Sequence, residues 1–215
     1  MLKVVRLAAN FPRIVYLLAF DEERVGRVAG EAYGEASDGR QFLEKIIQYP
    51  FVLPAIGRDR LSDYVLRHAH TACHEAGIKL EEKAWADFRR LCREALLVRL
   101  STPRQAIRYA NALRFALPLL KGEVDPFVQM LVEAARILFP ELYVVLGRLD
   151  TYEEAAFSDN IAEAIKAEKP DATEPEQAAC LNLVNALFRW ENRSRQPISD
   201  RRYHERYFFL CGIID

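Results

Sequence analysis

Seven consecutive apolar residues, Ile14 to Phe20, stand apart from a chain whose apolar positions otherwise recur at helical spacing. Four of the seven are β-branched or aromatic, and the acids Asp21, Glu22 and Glu23 close the run. A short apolar run of that kind reads as a strand buried on both faces. Upstream, Leu2, Val5 and Ala9 share one face, which predicts a short amphipathic helix over 2–10. Downstream, the three acids favour a helix start, and that helix stops near Gly34. Asp38 caps a predicted helix through QFLEKIIQ, broken by Pro50 and again by Pro54.

From there the pattern is helical. Leu61, Tyr64, Val65, His68 and Ala72 predict a helix over 60–76 ended by Gly77, and residues 80–98 predict another. Thr102-Pro103-Arg104-Gln105 combines a cap, a proline at the first helical position and a glutamine three residues after the cap. Asp125-Pro126 repeats the device before Phe127, Val128, Leu131, Val132, Ala135 and Leu138. Thr173-Glu174-Pro175-Glu176 repeats it again before AACLNLVNALFRW. Linker-like composition occurs at 168–177 and 194–202. The last residues, RYFFLCGIID, form an apolar run that reads as cut off at Asp215.

The pattern thus gives one buried strand and about nine helices. A lone strand cannot satisfy its backbone groups. The expectation is therefore a mainly α chain: the last strand of a P-loop-type α/β core followed by a helical lid-like bundle, with the rest of the sheet upstream of Met1. Residues 1–57 would be the remnant of the core and 58–215 the helical region.

Composition narrows the function without choosing it. The net charge of −1 over 215 residues gives no overall field toward nucleic acid, and none is expected as a partner. Cys73, Cys92, Cys180 and Cys211 show no CxxC pairing and read as free buried thiols of a reducing cytoplasm. No apolar stretch is long enough to span a bilayer, so membrane attachment is expected only through segments outside this chain. In HAHTACH, His70 and His74 share a helix face with Cys73 near. The third ligand and the adjacent glutamate of a zinc hydrolase are missing, so no metal site is expected.

Four blocks in order, NFPRIVYLLAFDEERV, GRQFLEKIIQYPFVLP, STPRQAIRYANAL and ILFPELYVVL, resemble the later part of the KAP family of P-loop NTPases. The likeness covers about residues 2–147, with an echo at RRYHERYF. Nowhere does the chain carry Gly-x-x-x-x-Gly-Lys-Ser/Thr, whose backbone N–H groups and lysine cradle phosphates. The resemblance implies a segment that senses nucleotide state and transmits it. Hydrolysis, with ATP and Mg2+, would belong to a P-loop core in cis or trans, and no cofactor or catalytic residue is expected of this chain alone.

The resemblance also implies four accessory positions. Asp21, at the end of the strand, resembles a sensor near the γ-phosphate, and it could equally cap the helix that follows. Lys45 falls in a block typical of the family. Arg104, in the first turn of a capped helix, resembles a second-sensor arginine that forks two phosphate oxygens; Arg108 lies one turn on. The family also implies a cytoplasmic protein, at the inner face of the membrane in an intact parent, and a role in phage defence. A different class remains open: a stand-alone helical interaction module, homo-oligomeric through the exposed strand Ile14 to Phe20.

Overall fold

The computed structural model describes residues 13–33, 43–148, 157–191 and 194–208. The chain divides into two compact units, Met1–Ala55 and Ile56–Asp215. The predicted helix over 2–10 lies outside the described residues, as do Asp38, Cys211 and the last residues of the terminal apolar run.

In the N-terminal unit, Ile14–Phe20 is extended but belongs to no ladder; no strand occurs among the described residues. Exposure alternates along the segment as it does along a strand. Val15 and Leu17 are 94% and 92% exposed, while Tyr16 and Phe20 between and beyond them are partly covered. The sheet strand read from the apolar run is therefore not formed here. Extended backbone is a local property, whereas a strand needs neighbours on its edges, and the described residues supply none. Arg13, at φ 71°, turns the chain into this segment. Asp21 then opens α1, Glu22–Tyr33. The helix expected through QFLEKIIQ is only a turn at Leu43–Ile46 in its described part. After it, Tyr49, Phe51, Val52 and Leu53 are all exposed, because Pro50 and Pro54 prevent helix continuation and hold the segment open.

The described residues of the second unit are mainly helical. It comprises α2 (Arg58–Glu75), α3 (Glu82–Leu91), α4 (Pro103–Leu119), α5 (Pro126–Leu138), α6 (Pro140–Arg148), α7 (Phe157–Glu168), α8 (Glu174–Glu191) and α9 (Arg201–Phe208). Beyond α3 the chain runs through a π-helical turn, Cys92–Leu96, into a last α turn, Leu97–Arg99. The single helix expected over 80–98 is thus interrupted by one wide turn. Gly77, at φ +63°, ends α2 as read from the sequence.

Two of the predicted starts take the form their residues dictate. Thr102 Oγ1 accepts from Gln105 N, while Gln105 Oε1 accepts from Thr102 N, a reciprocal capping box. Asp125 Oδ1 accepts from the backbone of Phe127 and Val128. At the third, Glu176 reaches back to accept from Thr173 N at 2.9 Å.

Helix α4 packs on α2 and α5, and α8 lies over the π-helical turn and α5. Phe88, Leu113, Tyr109, Phe127 and Met130 fill the centre, all essentially buried. Burial of such side chains is the main source of stability. Among the contacts that hold α9, one ring makes two hydrogen bonds. Tyr207 is fully buried, and its hydroxyl accepts from Asp125 N and donates to Gln196 O. Trp190 Nε1 donates to the other carboxylate oxygen of Asp125. No helix among the described residues is long and apolar enough to cross a membrane.

Candidate functional site

The four candidate positions fall in different settings. Asp21 is exposed, and its carboxylate accepts from Arg24 N at 3.0 Å, with the Arg24 guanidinium 3.8 Å away. That is the bonding of a helix cap. Lys45 is exposed and sits in the turn at Leu43–Ile46 rather than on a helix. Both belong to the N-terminal unit.

Arg104 and Arg108 belong to the helical unit, and α4 brings them together. They are one turn apart on its solvent face, and neither forms an ion pair or hydrogen bond among the described residues. The sequence dictates this. Ala106, Tyr109, Ala110, Leu113, Ala116 and Leu117 form the buried stripe of α4, and the two arginines lie opposite it. Thr102 and Gln105 fix the first turn, and Tyr109 anchors the next by donating to Met130 O at 2.9 Å. The arginines thus project from a rigid rod, free to meet an anion with two forked donors.

The same face carries Ile107, Phe115 and Leu119, all exposed. Composition would assign these to the core. Their phase on the helix, opposite the buried stripe, is the signal that they are not.

A second charged group is not apparent from the sequence. Arg99, at the end of the turn after the π-helical segment, donates to Leu138 O at 2.8 Å and to Glu176 Oε1 at 2.8 Å, and pairs with Glu141 Oε1 at 2.5 Å. Its guanidinium lies 4.7 Å from the Phe139 ring centroid, and Lys169 completes the group at 3.2 Å from Glu176. Burial opposes charge on Arg99, but the pairing with Glu141 and Glu176 outweighs it and raises its pKa. The backbone N–H of Thr173, with Arg99 and Lys169 assisting against partial desolvation, holds Glu176 down to about 2. With two cations and two carboxylates the cluster is balanced in charge. It is a pin between helices.

The side chains of HAHTACH are spread over different settings, and no group of three ligating side chains occurs among the described residues. His70 stacks on Trp85 at 3.5 Å, His68 meets Tyr64 edge-on at 4.4 Å, and Cys73 faces Met130 in the core. Cys73, Cys92 and Cys180 are free and buried. Burial raises their pKa values to about 11, about 11 and about 12, which leaves the thiols protonated and poor nucleophiles.

Three comparisons bear on these observations. The KAP family P-loop domain matches residues 1–120, a span that closes at the C-cap of α4. The phage T7 exclusion protein of Escherichia coli (strain K12) is 25% identical over 141 residues, covering 66% of this chain and 19% of that protein. The chain thus spans about a fifth of the length of the curated relative it matches. No solved structure matches it.

Proposed function

The chain belongs to the KAP family of P-loop NTPases, and from that premise we propose that it is the nucleotide-sensing and transmitting part of such an NTPase. The observation that carries the reading is the pair Arg104 and Arg108, exposed and without an ion partner among the described residues, on a helix fixed at its first turn. Arginine stays charged at any physiological pH and can fork two phosphate oxygens. A positioned arginine lowers the barrier to phosphoryl transfer by stabilising the charge of the transition state.

The phosphates, Mg2+ and attacking water would be held by a P-loop core bearing the Walker motifs that this sequence lacks. Two features of the N-terminal unit support such a partner. Ile14–Phe20 is extended with no ladder, and the apolar residues of 49–53 are exposed; a parallel sheet supplied by that core would cover both. Asp21 and Lys45 are then secondary candidates near the nucleotide. The setting we propose is cytoplasmic, and the work is phage defence, a reading supported by the name of the E. coli relative, which records exclusion of phage T7 for that protein.

The test is ATP turnover by a polypeptide that carries a Walker A and Walker B core together with this chain. Arg104→Ala is expected to slow turnover about tenfold or more, with Arg104→Lys recovering little because the fork is lost. Unchanged turnover in Arg104→Ala removes the sensing role. The exposed apolar face of α4 favours a second reading, a helical interaction module without nucleotide chemistry, and an Arg104→Ala chain with normal turnover would point there.

A further inference from the structure

Helix α4 lies wholly within the span that matches the P-loop domain, which closes at residue 120. Its inner face packs on α2 and α5, and its outer face is exposed. At about 100° per residue, Arg104, Arg108, Asn111, Phe115 and Leu119 share an outward stripe about 80° wide. The stripe changes character along its length. Its N-terminal end is cationic: α4 contains no acidic residue to neutralise Arg104 and Arg108, and the partial positive charge of the helix start adds to theirs. Its C-terminal end is apolar, since Phe115 and Leu119, 64% and 54% exposed, are neighbours one turn apart. About 16 Å of helix separates Arg104 from Phe115.

We propose that Phe115 and Leu119 seat α4 on the Walker-bearing core, and so set Arg104 and Arg108 at the phosphates that core holds. The inference rests on the sensing reading above and names the surface that carries the sensor. The occupant follows from the stripe itself. An anion is wanted at one end and an apolar protein surface at the other, on a helix that belongs to the P-loop domain. A nucleotide held in a folded core offers both. Phe115 and Leu119 are then positioning residues, acting on phosphate only through the arginines.

The two ends have different physical dependences. The apolar contact is indifferent to phosphate and to salt, whereas the arginine contact needs the anion and is screened. The helix therefore stays seated while its arginines engage and release. Seating also brings the arginines to the phosphates as an intramolecular event, at high effective concentration. By linkage, ATP that tightens the seating through Arg104 is itself held tighter when α4 is seated.

The test is alkylation of Asn111→Cys by a maleimide in a Cys211→Ser background, where Cys73, Cys92 and Cys180 are buried. Asn111 lies on the stripe between the two ends and is exposed. The rate is compared in this full chain alone and in the polypeptide that joins it to a Walker A and Walker B core. Joining is expected to slow alkylation about tenfold or more, and adding Phe115→Asp or Leu119→Asp to restore most of the rate, the loss expected of a central anchor. Both side chains are exposed, so an unchanged melting temperature of the chain alone would show that neither variant acts through folding. ATP should slow alkylation further, and that increment alone should vanish in Arg104→Ala. The proposal is overturned if joining gives no protection, or if protection survives both aspartate variants. Protection that appears in this chain alone as its concentration rises would make a second copy the occupant and overturns it too. Slow turnover in Arg104→Ala without protection at Asn111→Cys removes the seating and keeps the sensor. Protection with normal turnover in Arg104→Ala keeps the seating surface and removes the sensor.

Discussion

Arg99 Nη2 and Glu141 Oε1 lie 2.5 Å apart, with side chains only 14% and 6% exposed. Four groups hold the arginine: Leu138 O, the Phe139 ring, Glu141 and Glu176. All four lie beyond residue 120, whereas Arg99 lies within the span that matches the P-loop domain. Arg99 thus links that span to α6 and α8 through one guanidinium, in addition to the apolar core. A buried ion pair adds little net stability, but removing one partner strands the other charge.

Arg99→Ala is accordingly expected to cost about 3–5 kcal/mol, read as a lower urea midpoint with an unchanged slope. The double variant Arg99→Met with Glu141→Leu should recover most of that loss, because no uncompensated charge remains at that pair. Equal loss in the single and double variants would show that the packing of the arginine stem, rather than its charge, holds the helices.

Gly77 and Lys121 give a second expectation. The Lys121 ammonium donates to Ala76 O at 2.8 Å and Gly77 O at 3.1 Å, closing the end of α2. A Cβ at Gly77 would stand 2.9 Å from that nitrogen, and φ is +63°. Gly77→Ala therefore meets both backbone strain and a displaced ammonium. The expected loss is about 1–2 kcal/mol, or about 2–8 °C in Tm for a unit of this size. In a Lys121→Met background the same glycine substitution should cost less, since the clash with the ammonium is gone. Equal costs in the two backgrounds would assign the whole effect to φ.

How much of this was legible depends on the range of each interaction. The caps at Thr102 and Asp125 are readable because every partner lies within three residues. The helix end at Gly77 is readable for the same reason. The π-helical turn is not, since apolar spacing over 80–98 reports an average and one wide turn hardly shifts it. The partners of Arg99 are dozens of residues away, and nothing local distinguishes it from Arg93. The apolar run Ile14–Phe20 announces extended backbone, which it has, but whether a ladder forms is decided by other strands. Arg104 and Arg108 were legible as a pair on one face. The apolar side chains around them become visible only when the phase of the buried stripe is compared with theirs.

Two carboxylates of the helical unit should make its stability respond to pH in opposite senses. The pKa of Glu176 lies at about 2 against an ordinary 4.5, so the fold favours its charged form. That stabilisation is fully present above the ordinary value and is lost as pH falls through about 2. Glu133 is the reverse. Burial raises its pKa although Arg136 and Gln129 pair with it, so the fold favours its neutral form and loses that contribution as pH rises. Glu176→Gln should therefore lower Tm at pH 7, with the difference closing as acid is added. Glu133→Gln should raise Tm at pH 7, by about 2–4 °C for each kcal/mol relieved, and confer nothing once the wild-type carboxyl is protonated. Thermal melts of the three proteins from pH 2 to 7 would separate these curves. A Glu133→Gln protein less stable than wild type at pH 7 would mean that its ion pair with Arg136 outweighs the cost of burying it.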